Sequence, residues 1–386
     1  MQPPVSAPLR LSSAVGPEGG AMRLAMIGLS NSGKTTVFNA LTGQNVETTV
    51  YPTLSGEPSL GVVKVPDLRV NRLCEIYKPK KVTHATVEYV DYIGLTKGDL
   101  NQNRKVFDLI KDVDAIVHVV RAFEDESISH PMNAVNPLHD VETVELELIF
   151  GDLEFVEKRL QRMDEASRKG KKPHEGEKRL LLKCKEALEK EISLRNVTFD
   201  EEEQKLMKPL QFVSTKPEVV VLNLSEEDLR SEKSSALQRA TEKYLADTGI
   251  ALTTKVVALC GKIEMEIAQL SPDEARAFLD DLGIAEPALS KLIHMSYDLL
   301  GLISFLTFGE DEVRAWTVTR GMNAQKAAGK IHSDIERGFI RAEVVSYDDF
   351  IAAGTLSAAR DKGLLRLEGK TYEVKDGDMI NFRFNV

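Results

Sequence analysis

The sequence predicts an α/β fold: a doubly wound, mainly parallel sheet interrupted by a helical coiled-coil hairpin and followed by a small, mostly β C-terminal module. Three observations predict it. Short apolar runs alternate with helically spaced segments over residues 22–138 and again over 209–300, the pattern of strands joined by crossover helices. Residues 139–208 switch to a long helical periodicity with charges at the remaining positions. From 301 to 386 the runs shorten and become hairpin-like, over a length common for one small domain.

In chain order, residues 1–21 hold Pro, Ser and Gly, one Arg and no apolar core, so they read as a disordered extension and a poor targeting signal, with Met22 as an alternative start. "RLAMIGL" is a strand ending at Gly28, and "TTVFNALTG" is a helix stopped by Gly43. "SLGVVKV", "ATVEYVDYIG", "DAIVHVVRA", "EVVVLNLS" and "IALTTKVVALC" read as further strands. In the insertion, Leu146, Ile149, Leu153, Val156 and Leu160 make an apolar stripe, "GKKPHEG" offers a turn, and "EKRLLLKCKEALEKEI" returns as a second helix. The C-terminal module reads as a hairpin ("LISFLTFG", "EVRAWTV"), a helix ("NAQKAAGKIHSDI"), a strand ("GFIRAEVVS"), and a closing strand, turn and strand in "TYEVKDGDMINFRFNV".

At 386 residues, 42% hydrophobic and 28% charged, the chain has room for two or three cores, and no apolar run reaches the roughly 20 residues of a membrane helix. A monomeric protein that does not enter the membrane is expected. Cys74, Cys184 and Cys260 are scattered and form neither a disulfide framework nor a CxxC knuckle, which suits a reducing cytoplasm. A net charge of −10 argues against a uniformly nucleic-acid-coated surface, yet residues 158–195 carry thirteen basic side chains against seven acidic ones.

Chemistry concentrates in "GLSNSGKTT". Gly28, Gly33, Lys34 and Thr35 match GxxxxGK[ST], in which glycines turn backbone N–H groups toward phosphates, Lys34 reaches the outer phosphates and the Thr35 hydroxyl ligates Mg²⁺. Asn31, Ser32 and Thr36 complete the loop. Asp91 and Gly94 form a DxxG at a strand end, the carboxylate holding the metal's water and the glycine amide sensing the terminal phosphate. Ser55 or Thr53 supplies a further hydroxyl to complete the metal's shell. In "VVVLNLSEED", Asn223, Leu224 and Glu226 stand where guanine readers carry NKxD; losing the Lys and lengthening the Asp weakens the case for guanine and favours adenine. Cys260 and Gly261 in "ALCGKIE" occupy the loop that closes over the base. Leu95 follows the DxxG where a water-orienting Gln commonly sits, and a leucine cannot orient water.

These residues resemble the Obg-like ATPases of the YchF family from about Met22 to Val386, with specific echoes in "GLSNSGKTTVFNALT", "YPTLSGEPSLGVVKVPDLR", "AIVHVVRAFEDESISH", "AAGKIHSDIERGFIRAEVV" and "DGDMINFRFNV". The resemblance implies a P-loop NTPase domain of the TRAFAC GTPase-like kind, a coiled-coil insertion, and a C-terminal β-grasp-like TGS domain. It also implies preference for ATP over GTP, a hydrophobic residue at Leu95, and a loop histidine, here His130, acting in hydrolysis. Read alone, His130 is a solvated loop histidine before a proline. The first switch has Ser55 where the family has Thr, and the second switch, "LTKGDLNQNRKVF", has one glycine.

The function expected is a Mg²⁺-dependent ATPase switch, with Lys34, Leu95 and His130 at the reacting end, that contacts ribosomes or structured RNA through the basic hairpin and the TGS domain. Asn31 makes K⁺ a second candidate cofactor. The alternatives are a nucleotide-gated binding protein with negligible hydrolysis, and a GTPase.

Overall fold

The computed structural model describes residues 22–46, 58–92, 94–170, 172, 174–250, 253–284 and 286–385, in two compact units. The larger unit comprises residues 23–61 and 88–292. Its sheet is built from β1 (Arg23–Ile27), β2 (Ser59–Lys64), β4 (Thr86–Asp91), β5 (Ala115–Ala122), β6 (Glu218–Leu224) and β7 (Thr254–Leu259), in the order β2-β4-β1-β5-β6-β7. From β4 to β7 every pairing is parallel. All seven residues of β6 are buried, as a parallel strand covered on both faces requires.

The order reverses at β1, whose neighbours are β4 and β5, so a crevice opens beyond the carboxyl ends of these strands. Around the sheet lie α1 (Lys34–Thr42), α3 (Leu100–Ile110), α4 (Pro137–Arg168), α8 (Glu232–Asp247) and α9 (Gly261–Gln269). Further helices are α6 (Glu201–Met207), α7 (Glu226–Leu229), α10 (Pro272–Leu282) and α11 (Ala288–Leu299). On one face of the sheet, Ile27, Leu29, Leu95, Ile116 and Val213 pack with Val106, Phe107 and Ile110 of α3 and Val144 and Leu148 of α4. Further along the same face, Val220, Leu222 and Val256 pack with Leu245 of α8.

The insertion is an antiparallel pair, α4 and α5 (Glu175–Glu189). Asn136 caps α4 by accepting from the His139 amide, with Pro137 in the first turn; His174 caps α5 by accepting from the Glu177 amide. Ile149, Leu153, Val156 and Leu160 meet Leu180, Leu181, Cys184 and Leu188, as the stripe predicts, while Leu146 falls outside this cluster. The root of α4 instead buries Val144 and Leu148 against the sheet.

The second unit contains residues 62–87 and 293–386. Its sheet has the order β11-β10-β12-β8-β9-β3, from β3 (Lys81–Thr83), β8 (Leu302–Thr307), β9 (Glu312–Thr319), β10 (Phe339–Ser346), β11 (Arg366–Glu368) and β12 (Asp378–Phe384). The β8–β9 hairpin is antiparallel, β12 joins β8 in parallel, and helix α12 (Ala324–Ile331) buries Ala324, Ala327 and Ala328 against the sheet, a β-grasp-like arrangement. Short helices α13 (Ser333–Arg337), α14 (Tyr347–Ala353) and α15 (Leu356–Asp361) fill the connections.

Two local expectations fail. "TYEV" is not a strand: Tyr372 and Val374 hydrogen-bond to the chain beside α12 through backbone atoms, and pairing resumes only at Asp378. The helix predicted over "NAQKAAGKIHSDI" breaks at His332, whose backbone is extended (φ −162°) and whose side chain caps α13. Segment 62–87 contributes β3 and α2 (Leu68–Tyr77), where Arg69 bridges Asp67 and Asp376 and Tyr77 meets Phe308 and Phe350.

Candidate functional site

The loop from β1 into α1 needs glycine at two positions for both backbone and space. Gly28 has φ 147°, and a Cβ there would lie 2.2 Å from the Val119 carbonyl oxygen; Gly33 has φ 87°, and its Cβ would lie 2.2 Å from Asn223 Nδ2. No side chain caps the start of α1, so its first amides remain available to an anion, and the helix dipole favours one there.

Lys34 is buried, and its Nζ donates to the Leu29 carbonyl at 2.8 Å. Burial pushes its ammonium down to about 8, against the opposing pull of Asp91. The Thr35 hydroxyl donates to Asp91 Oδ2 at 2.7 Å, while Asp91 Oδ1 is buried without a partner among the described residues. Burial raises the Asp91 carboxyl, and the Thr35 hydrogen bond and Lys34 charge pull it back. A hydroxyl and a carboxylate with a spare buried oxygen are the hard donors Mg²⁺ prefers, so these residues fit that ion. The further hydroxyl expected from Thr53 or Ser55 lies outside the described residues.

Gly94 approaches closely, since a Cβ would stand 3.0 Å from both Lys34 Nζ and the Ser30 amide nitrogen. Beyond it the Leu95 amide donates to the Gly28 carbonyl at 2.9 Å, tying the DxxG segment to the phosphate loop. The Leu95 side chain is wholly buried in the core with Ile27, Leu29 and Val106. Ser32 Oγ is buried and unpartnered, and the Asn31 amide donates to the Ser129 carbonyl at 3.1 Å with its own backbone at φ 63°.

At the other end, Asn223 is a two-way tie. Its Nδ2 donates to the Ser32 carbonyl at 3.0 Å and its Oδ1 accepts from the Gly261 amide at 3.0 Å, joining the phosphate loop to the start of α9. Gly261 packs beside Val37 and Thr36. Leu224 is buried, whereas Glu226 is exposed at the start of α7 and pairs with Arg230 at 2.7 Å. Cys260 is buried at the foot of α9, which raises its thiol pKa. Local motif reading missed Phe123. Its ring lies beside the Cβ position of Gly33 and under the Arg121 guanidinium, 4.7 Å from the ring centre.

His130 is not solvated, which overturns the reading from the residue alone. It is 9% exposed, with Nε2 at 2.9 Å from Asp140 Oδ2 and Nδ1 accepting from the Met132 amide at 3.1 Å. Arg195, counted with the basic hairpin, is also buried: it bridges Glu145 at 3.0 Å and Glu218 at 2.6 Å, and Glu218 in turn contacts His118 Nδ1. Burial would raise the Glu218 carboxyl, but the Arg195 charge and the His118 hydrogen bond hold it down at about 2.

Along the hairpin many bases already have acids: Arg159 with Glu177, Lys178 with Asp164, Lys183 with Glu203, Lys185 with Glu157 and Lys190 with Glu186. Arg162, Arg168, Lys169 and Lys172, towards the turn, are exposed and have no ion-pair partner among the described residues.

A parallel sheet whose switch point carries this glycine-cradled loop, its buried lysine and the threonine–aspartate pair defines a P-loop nucleoside-triphosphate hydrolase of GTPase-like architecture. A family model described as a 50S ribosome-binding GTPase matches residues 23–150, and the YchF-GTPase_C model, described as a protein of unknown function, matches 302–385. The chain is 44% identical to the ribosome-binding ATPase YchF of Bacillus subtilis, covering 95% of this chain and 100% of that protein. It is 41% identical to the YchF of Haemophilus influenzae, over 94% of this chain and 99% of the relative. A solved structure, the Schizosaccharomyces pombe YchF GTPase, superposes with a TM-score of 0.78 at 28% identity, over 95% of this chain and 99% of that one. The chain belongs to the YchF family.

Proposed function

We propose that this protein is a Mg²⁺-dependent ATPase whose nucleotide state controls its contact with ribosomes in the cytoplasm. The observation that carries the reading is the Thr35–Asp91 hydrogen bond with its spare Asp91 oxygen, beside Lys34 and the open start of α1. Amides of Ser32, Gly33 and Lys34 would cradle the phosphates, Lys34 would neutralise the outer ones, and Thr35 and Asp91 are the residues that would hold the ion. When bound, Mg²⁺ offsets charge on the β- and γ-phosphates. Ser55 or Thr53 is the candidate for a further hydroxyl on that ion, and Asn31 is the candidate residue for a K⁺.

Adenine is favoured because Leu224 offers no polar head and Glu226 is engaged with Arg230 at the surface, so no carboxylate is fixed to accept from the two guanine donors. The relatives' name as ribosome-binding ATPases supports both nucleotide and partner. We assign contacts with ribosomal or other structured RNA, through its phosphates, to the bases near the hairpin turn that have no ion-pair partner among the described residues and, separately, to the TGS-like unit. Leu95 offers the attacking water no polar group, so His130 takes that role, swinging from its present site.

ATP turnover with Mg²⁺, with and without ribosomes, tests the proposal. Acceleration by ribosomes, and at least roughly hundredfold loss in Asp91→Asn, are expected. A second reading, nucleotide-gated binding with negligible hydrolysis, rests on the occupied nitrogens of His130; unchanged turnover with ribosomes and in His130→Ala would favour it. The S. pombe relative's description as a GTPase keeps GTP as the competing substrate.

A further inference from the structure

The loop that carries His130 is held at three points. Arg121 Nη2 donates to the Ile128 carbonyl at 3.1 Å, and Asn31 of the phosphate loop donates to the Ser129 carbonyl at 3.1 Å. The third point is the imidazole. Because Nδ1 accepts from the Met132 amide, it bears no proton, so the ring proton sits on Nε2 and is donated to Asp140. Both nitrogens are therefore in use, and neither is left to accept from or donate to a water. Asp140 is 2% exposed in the first turn of α4, and its Oδ1 is buried without a partner among the described residues, so among them the carboxylate binds mainly this histidine. The other titratable groups facing it are His118 on β5 and His139 on α4.

We infer that Asp140 is a positioning residue that keeps His130 withdrawn and idle, and that hydrolysis requires the imidazole to leave it. The inference rests on the role assigned to His130 above and adds what restrains it. Asn31 links the restraint to the nucleotide: a residue of the phosphate loop grips the peptide next to His130, so rearrangement of that loop pulls at the same segment. α4 links it to the hairpin, since Asp140 lies at the root of the helix that forms it.

The test uses full-length protein and Mg²⁺-ATP without ribosomes. A hydrogen bond to a charged group shifts such an equilibrium by about ten- to a hundredfold, so Asp140→Ala is expected to raise kcat by roughly tenfold with KM changed less than about twofold. Asp140→Asn keeps an acceptor of the same size without the charge and is expected to give a smaller rise, which also covers the event that the alanine variant folds poorly. The His130→Ala, Asp140→Ala double variant should be as slow as His130→Ala. Ring ¹⁵N spectra of His130 should show the Nε2–H tautomer in the wild type, and that N–H proton should exchange with water faster in Asp140→Ala. If His130→Ala is slow but neither Asp140 variant exceeds the wild type, the restraint is overturned and the histidine role stands. If His130→Ala is as fast as the wild type, the histidine role falls and the restraint with it. A rise that survives in the double variant also overturns it.

Discussion

Asn223→Ala should weaken ATP binding without unfolding the protein. The wild-type amide satisfies two buried backbone groups, the Ser32 carbonyl and the Gly261 amide, each at 3.0 Å. Truncation leaves both unpaired, and an unsatisfied buried polar group costs about 1–3 kcal/mol, so the two loops lose about 2–6 kcal/mol of mutual support. These loops frame the pocket and carry little of the sheet core, so we expect about half of that to appear in binding. At about 1.4 kcal/mol per factor of ten, the dissociation constant for Mg²⁺-ATP should rise by roughly 10- to 100-fold. Asn223→Asp keeps the acceptor for Gly261 but sets a carboxylate against the Ser32 carbonyl, which isolates the second bond. Calorimetric titration with ATP and ADP, alongside a melting curve, is the assay. An Asn223→Ala protein that binds ATP within about threefold of the wild type would refute the reasoning.

The buried charges set further expectations. Burial holds the free Lys34 ammonium near 8, so a bound triphosphate should raise it, and titration at about pH 8.5 in buffers of differing ionisation enthalpy should show proton uptake that disappears in Lys34→Met. Glu218, held at about 2 in the folded chain, has a folded pKa below its ordinary value of 4.5, so its stabilisation is present above pH 4.5 and is lost as pH falls towards 2. Glu218→Gln should flatten that acid limb in a melting series. It should also lower stability near neutral pH by about 3–5 kcal/mol, because the buried Arg195 loses one of its two carboxylate partners and keeps Glu145 and the Ser214 carbonyl.

The phosphate loop, the DxxG and the alternation of strands and helices were legible because each is a local pattern set by backbone geometry and side-chain period. Asn223 was legible as a position but not as a tie, since its partners Ser32 and Gly261 lie 191 and 38 residues away. Distance along the chain hid the rest. Nothing local in "KVT" predicts that β3 pairs with β9, where Thr83 Oγ1 meets Glu312 across 229 residues. Arg195 reads as one more base on a charged hairpin, and only the fold turns it inward against Glu145 and Glu218. His130 before a proline resembles a solvated loop residue because Asp140, one helical turn into α4, is its partner only once that helix is capped by Asn136.

Most depends on the proposal that the base end of this P-loop site favours adenine. Competitive calorimetry of ATP against GTP with Mg²⁺ present, in the wild type and in Leu224→Lys, Glu226→Asp, tests this most directly. The wild type is predicted to bind ATP at least roughly tenfold more tightly, and the double variant to move towards GTP, because a shorter carboxylate and a lysine rebuild guanine's partners. A wild type that binds GTP more tightly than ATP would contradict it.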